Sequence, residues 1–163
     1  MSRLEKNLPH LPNILLALLL SFILQWVGTK YLRLNKIAPD FILIFIIFFS
    51  FHTGGIFALS LSFGAGLLQN ILYHGLIGTN SFSFCLISYL ITFLKNKLQI
   101  KEGFWPQVIF VFLGSFLYVI FSAIFYRTPW VLGLLIPKIL IFSSYNSLLF
   151  ALLFWGLKRT VYG

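Results

Sequence analysis

The chain has 163 residues, of which 60% are hydrophobic and only 9% are charged, and a soluble domain of this length could not bury so much apolar surface in one core. The sequence therefore predicts an integral membrane protein. Its 12 Lys and Arg residues against 3 acids give a net charge of +9, but these cations lie between apolar runs and at the chain ends, as topology signals do, which argues against nucleic-acid binding.

Six apolar runs approach the length that crosses a bilayer. Lipid cannot satisfy exposed backbone groups, and the runs lack the alternation of barrel strands, so we expect helices. The first run has no cleavage site after it and is interpreted as a retained span. We predict one all-α membrane domain over residues 1–163, a compact bundle of six transmembrane helices. The predicted spans cover residues 13–28, 39–51, 54–73, 81–94, 105–126 and 130–157.

The basic residues favour an orientation with both termini in the cytoplasm, because that choice places the larger group of cations inside. The inner group would be Arg3, Lys6, Lys95, Lys97, Lys101, Lys158 and Arg159, and the outer group Lys30, Arg33, Lys36 and Arg127.

Asp40 follows Pro39 at the start of the second span. Proline suits the first helical position, and a carboxylate there meets the positive end of the helix dipole. We expect Asp40 to stabilise the helix start. The alternative is an ion pair, either with Lys138 in the sixth span or with Arg33 or Lys36 in the adjoining loop.

Small residues recur every four positions along the third span. They form one row of Gly54, Ala58, Ser62 and Gly66 and a shorter row of Ser60 and Gly64. In lipid, such rows mark places where helix backbones approach closely. We expect this surface to pack inside the bundle, with contact to a different protein as the alternative.

Gln69 and Asn70 lie near the end of the third span, where we expect their amides to cap carbonyls or to bond across helices. Gly75 and Gly78 then permit a short turn into the fourth span. A ligand pocket at this end is the alternative interpretation. In the sixth span, Asn146 lies among serines and is expected to hydrogen-bond to neighbouring helices.

The three acids and three histidines show no spacing for acid-base catalysis or metal binding, and no P-loop or nucleophile-elbow pattern is present. We expect no catalytic residue, no metal site and no cofactor.

Three stretches resemble the MreD family of bacterial rod shape-determining proteins: APDFILIFIIFF at 38–49, FGAGLLQNILYHGLIGTN at 63–80 and YNSLLFALLFWGLKR at 145–159. The resemblance covers nearly the whole chain. Matching positions are Pro39 and Asp40 before the second span, Gly66, Leu67, Leu68, Gln69, Gly75 and Gly78 around the third, and Asn146 in the last. Asn70 stands where many members carry Asp, and Phe150 where many carry Pro.

The resemblance implies a non-enzymatic scaffold of the peptidoglycan elongation complex in the bacterial inner membrane. Its implied partners are the single-span protein MreC and, indirectly, a glycosyltransferase-transpeptidase pair and the actin-like MreB, besides membrane lipids. The family's fold looks like that of the S components of energy-coupling-factor vitamin transporters. That kinship leaves a substrate-binding S component as the alternative function, although Ala17 and Ser21 offer only a weak version of its coupling motif.

Overall fold

The structure, a computed structural model, describes residues 11–32, 37–53, 55–73, 78–125 and 132–162. It contains six helices in this part of the chain, which confirms the predicted all-α bundle. They are α1 Leu11–Tyr31, α2 Phe41–His52, α3 Gly55–Leu72, α4 Thr79–Lys97, α5 Phe104–Phe125 and α6 Leu132–Tyr162.

Four of these helices are long and apolar enough to cross a membrane: Pro12–Tyr31, Gly55–Leu72, Phe104–Phe125 and Ile136–Arg159. The chain is thus a multi-pass membrane protein. The other two helices differ from simple spans for separate reasons. Helix α4 carries serines, asparagines and lysines among its apolar residues, and α2 has 12 residues, which is a length of about 18 Å against a hydrocarbon core of about 30 Å.

Helix α2 is the centre of the bundle. Its residues 41–51 are all buried, and α1, α3, α4, α5 and α6 each pack against it. A helix that is apolar on every side is either surrounded by other helices or exposed to lipid as a membrane span, and the complete burial of residues 41–51 shows that α2 is of the first kind. Its sequence FILIFIIFFSFH thus forms core in the sense of a soluble protein rather than a lipid-facing span.

Aromatic rings fix α2 against α5 and α6. The ring centroid of Phe48 lies 6.4 Å from that of Phe150 and 6.5 Å from that of Phe154, while Phe51 lies 5.5 Å from Phe110. Phe150 is fully buried, and its ring is part of the core that packs on α2.

The row of small residues on α3 faces the inside of the bundle. Ala58, Ser62 and Gly66 are buried, and a Cβ atom on Gly66 would lie 2.4 Å from the Cα atom of Ser81 at the start of α4. The backbones of α3 and α4 therefore touch at this point, which only glycine permits. Gly54, the first member of the row, lies outside the described residues.

The second, shorter row on α3 faces away from the bundle. Ser60 is exposed, and a Cβ on Gly64 would meet no atom within 4 Å. A contact of Gly64 with another protein stays a prediction.

We expect Gly66→Ala to lower the free energy of unfolding by about 1–3 kcal/mol, because the added methyl group overpacks the contact with α4. Gly64→Ala is the matched control, since it adds the same atom in open space and replaces glycine by a better helix former. Thermal unfolding of both purified variants in detergent measures the difference. Equal stability of the two variants would contradict the contact between α3 and α4 at Gly66.

Candidate functional site

The beginning of α2 needs hydrogen-bond acceptors from other parts of the chain. The first backbone N–H groups of any helix have no partner within the helix. Because α2 is about 18 Å long, it cannot reach both membrane surfaces, and lipid offers no replacement for water. The residues around the start of α2 supply the missing partners.

Asp40 is the N-cap residue of α2. Its backbone is extended (φ −112°, ψ 91°), and its Oδ1 atom accepts a hydrogen bond of 2.9 Å from the Leu43 N–H. Its Oδ2 atom accepts one of 3.2 Å from Nε2 of Gln69 on α3. We had expected Pro39 to occupy the first helical position. The helix begins instead at Phe41, and Pro39 precedes the cap residue. Capping by the Asp40 carboxylate requires an extended backbone at Asp40, which places the helix start two residues later than expected.

Gln25 on α1 bonds to the same helix start. Its Oε1 atom accepts from the Phe41 N–H at 2.6 Å, and its Nε2 atom donates to the Pro39 carbonyl at 3.3 Å. The Pro39 carbonyl and the Phe41 N–H flank Asp40 in the chain. The single carboxamide of Gln25 therefore bridges the turn that leads into α2. Sequence reasoning missed Gln25, although a glutamine inside an apolar run is itself a signal of interhelical bonding.

Asn146 on α6 completes the arrangement. Its Oδ1 atom accepts from the Asp40 N–H at 3.1 Å, and its Nδ2 atom donates to Oγ of Ser115 on α5 at 3.0 Å. Both Asn146 and Ser115 are fully buried. We call Gln25, Asp40, Gln69, Ser115 and Asn146 the cap network; it joins five of the six helices at one point inside the bundle.

The structure does not bring Asp40 and Lys138 together. The ion pair found among the described residues is Lys95–Glu102, and Lys138 is exposed on α6. Eight residues separate Lys138 from Asn146, about 12 Å along the helix, so the residue of α6 that reaches Asp40 is Asn146. Of the loop cations considered as alternatives, neither Arg33 nor Lys36 lies in the described part of the chain.

The other end of α2 is held by a cation. Nζ of Lys95 on α4 donates to the Phe51 carbonyl at 2.5 Å and lies 4.9 Å from the centroid of the Phe51 ring. The same ammonium group bonds to Oε1 of Glu102 at 3.0 Å. A cation at a helix C-terminus complements the helix dipole, as the Asp40 carboxylate does at the N-terminus. Helix α2 thus has at each end a polar side chain that bonds to its terminal backbone groups.

Three further predicted residues, Asn70, Gly75 and Gly78, belong to the end of α3 and the turn into α4. Asn70, next to Gln69, is buried, and its side-chain amide has no hydrogen-bond partner among the described residues. Gly78 has a left-handed backbone (φ 94°) at the start of α4, the conformation that its predicted turn requires. Gly75 lies outside the described residues.

The chemistry available at the cap network is hydrogen bonding to backbone and between side chains. It contains one carboxylate, three carboxamides and one hydroxyl group, and the described residues hold no group of three or more His, Cys, Asp or Glu that could bind a metal ion. What this arrangement does is fix the position of α2 and of the helices around it. Each buried group left without its partner would cost about 1–3 kcal/mol.

Comparison with models of known protein families gives a match. The family described as rod shape-determining protein MreD matches residues 8–160, a range that contains the whole cap network. Searches of curated proteins and of solved structures gave no match.

We expect Asp40→Asn to keep most of the stability, because asparagine caps helices about as well as aspartate and the Oε1 atom of Gln69, which has no partner in the described part of the chain, can accept from the new amide. Asp40→Ala should lose the cap, worth about 0.5–2 kcal/mol, and leave the Gln69 amide unpaired. Denaturant titrations of both variants in mixed micelles test this. If the asparagine variant were as unstable as the alanine variant, the negative charge rather than the cap would be what α2 needs.

We expect Asn146→Ala to destabilise the fold by about 1–3 kcal/mol for each group it leaves unpaired, namely the Asp40 N–H and the Ser115 hydroxyl. The control is Ser147→Ala, because the Ser147 hydroxyl donates to the Ser143 carbonyl within α6 and its loss should change stability by less than about 0.5 kcal/mol. Limited proteolysis in detergent compares the two. Similar resistance of both variants would mean that the bond to Asp40 contributes nothing.

Proposed function

Because this chain belongs to the MreD family of rod shape-determining membrane proteins, we propose that it is a non-enzymatic scaffold of the bacterial complex that elongates the cell wall, and that it acts by binding MreC. The observation that carries the proposal is the family match over residues 8–160, nearly the whole chain. The glycosyltransferase-transpeptidase pair and MreB would then be indirect partners, reached through MreC.

The cap network supports a scaffold role. Except for the Oε1 atom of Gln69, the polar groups of its side chains bond to backbone at the start of α2 or to one another, so they serve the arrangement of the helices. A bundle fixed in this way offers its partners lateral surfaces of constant shape. In lipid, where little hydrophobic force drives helices together, such shape is what a partner helix recognises.

The outer surface of the bundle supports the same interpretation. Large apolar side chains face outward on several helices, among them Leu19, Ile109, Leu148 and Leu152. These surfaces suit both lipid and a partner helix. We propose that one of them contacts the membrane span of MreC in the cytoplasmic membrane, with both termini of the present chain in the cytoplasm, as the distribution of cations favours.

Photo-crosslinking in intact membranes tests this proposal. A crosslinking amino acid placed at Leu19, Ser60, Ile109 or Leu152, each exposed on a different helix, should capture MreC from one face only. The same amino acid at Ile46, which is fully buried in α2, is the control and should capture no other protein. Capture of an ATPase pair together with tight vitamin binding would contradict the scaffold role and support a transporter component.

Depletion of the protein in its rod-shaped host provides a second readout. We expect cells to become round as the protein is lost, because the elongation complex would lose its link to MreC, and we expect the wild-type gene to restore rods. Light microscopy over several generations measures the change. Normal rods after complete depletion would contradict the proposed function.

A further inference from the structure

Two polar side chains lie buried between α3 and α4 without a hydrogen-bond partner among the described residues. They are Asn70, near the end of α3, and Ser81, in the first turn of α4, and each is 1% exposed. Both Nδ2 and Oδ1 of Asn70 and the Oγ atom of Ser81 are concerned. We propose that a water molecule is bound between these two side chains and the start of α4. The proposal does not depend on the scaffold function.

The geometry of the two helices directs both side chains into the same gap. Helices α3 and α4 are antiparallel, since Gly66 touches the backbone of Ser81 and the Leu59 carbonyl accepts from Sγ of Cys85. Asn70 follows Gly66 by four residues, so it lies on the same face of α3, about 6 Å farther along. Side chains of a helix lean toward its N-terminus. Asn70 therefore leans back toward the level of Ser81, and Ser81 leans toward the level of Asn70.

The start of α4 adds hydrogen-bond donors to this gap. The first backbone N–H groups of a helix have no partner within it, and they point toward its N-terminus, here toward the level of Asn70. The N-cap residue of α4 is Gly78, which has no side chain to accept from them. Helix α2 differs in this respect, because its N-cap residue Asp40 accepts from the Leu43 N–H.

The donors and acceptors around the gap select water as the ligand. The Asn70 amide has both a donor and an acceptor, and the Ser81 hydroxyl can do either. An anion would leave Oδ1 of Asn70 unpaired, whereas a cation would leave Nδ2 unpaired and would meet the positive end of the α4 dipole. Water both donates and accepts, and buried waters make about three such bonds. It is also small enough to lie between side chains that are 1% exposed.

The bound water gives α4 an N-cap that its own sequence lacks. It accepts from the N-terminal end of α4 and donates to Oδ1 of Asn70, and a hydrogen bond through water is nearly as favourable as a direct one. Gln69, the neighbour of Asn70, bonds to the Asp40 carboxylate at the start of α2. Two consecutive residues of α3 thus hold the starts of two helices, one directly and one through water.

NMR spectroscopy of the isotope-labelled full-length protein in nanodiscs tests the proposal. The side-chain amide protons of Asn70 should show an Overhauser effect to water, with the sign that excludes proton exchange, and the variant Asn70→Leu assigns their signal. Gln25 is the matched control, because it is 5% exposed and both of its amide atoms are bonded, to the Phe41 N–H and the Pro39 carbonyl. Its amide should show no such effect. Absence of the effect at Asn70 would overturn the proposal.

A pair of serine variants tests the position of the water. Ser81→Ala should weaken its binding about two- to tenfold, as for the loss of one hydrogen bond, and so reduce the effect at Asn70. The control is Ser83→Ala, because the Ser83 hydroxyl is also buried but donates to the Thr79 carbonyl within α4. An equal effect in both variants would contradict the site.

Exchange of salts distinguishes water from an ion. The Asn70 amide signals should keep their chemical shifts when choline chloride is replaced by sodium chloride or by choline sulfate, because the ligand is neutral. A shift on addition of sodium would show a cation at the site, and a shift on addition of sulfate would show an anion. Either result would overturn the proposal.

Discussion

Helix α2 is too short for the membrane in which it is buried, and the rest of the structure follows from that mismatch. Its 12 residues cannot reach both membrane surfaces, and the backbone groups at its ends need hydrogen-bond partners that lipid cannot supply. Asp40, Gln25 and Asn146 bond to the groups at its start, and Lys95 bonds to a carbonyl at its end. Asp40 is the cap of α2 itself, and the other three residues lie on α1, α4 and α6. The bonds that fix α2 therefore also fix these three helices.

This arrangement of buried polar contacts also determines the outer surface of the bundle. Breaking a polar contact inside the bundle costs free energy, because it leaves a buried group without a hydrogen-bond partner in a medium of low dielectric constant. The helices are therefore held in one arrangement, and the outer faces keep a constant shape. Under the scaffold role proposed above for this member of the MreD family, these surfaces are the ones that lipid and a partner helix would contact.

The sequence predicted part of the cap network and missed the rest for identifiable reasons. Asp40 was recognisable because a carboxylate at a helix start has a known physical role, and Gln69 and Asn146 because amides in apolar spans bond across helices. Gln25 and Ser115 carry the same kind of signal, but nothing in their spacing shows which helix they face. The predicted ion pair between Asp40 and Lys138 was wrong because opposite charge does not show at which level of the bundle two residues lie. The residue of α6 that reaches Asp40 is Asn146, about 12 Å from Lys138 along the helix.

By itself, the sequence determined that the chain lies in a membrane, that it forms six helices near the observed positions, and that its small residues on α3 mark a close approach. These properties follow from the composition and the apolar length of each segment, without reference to its neighbours in space. Only the tertiary structure decided that the second apolar run is the core and not a lipid-facing span, since a wholly apolar helix has the same sequence pattern in both places. It also decided which amides meet at Asp40, because the rotation and depth of each helix depend on packing against its neighbours.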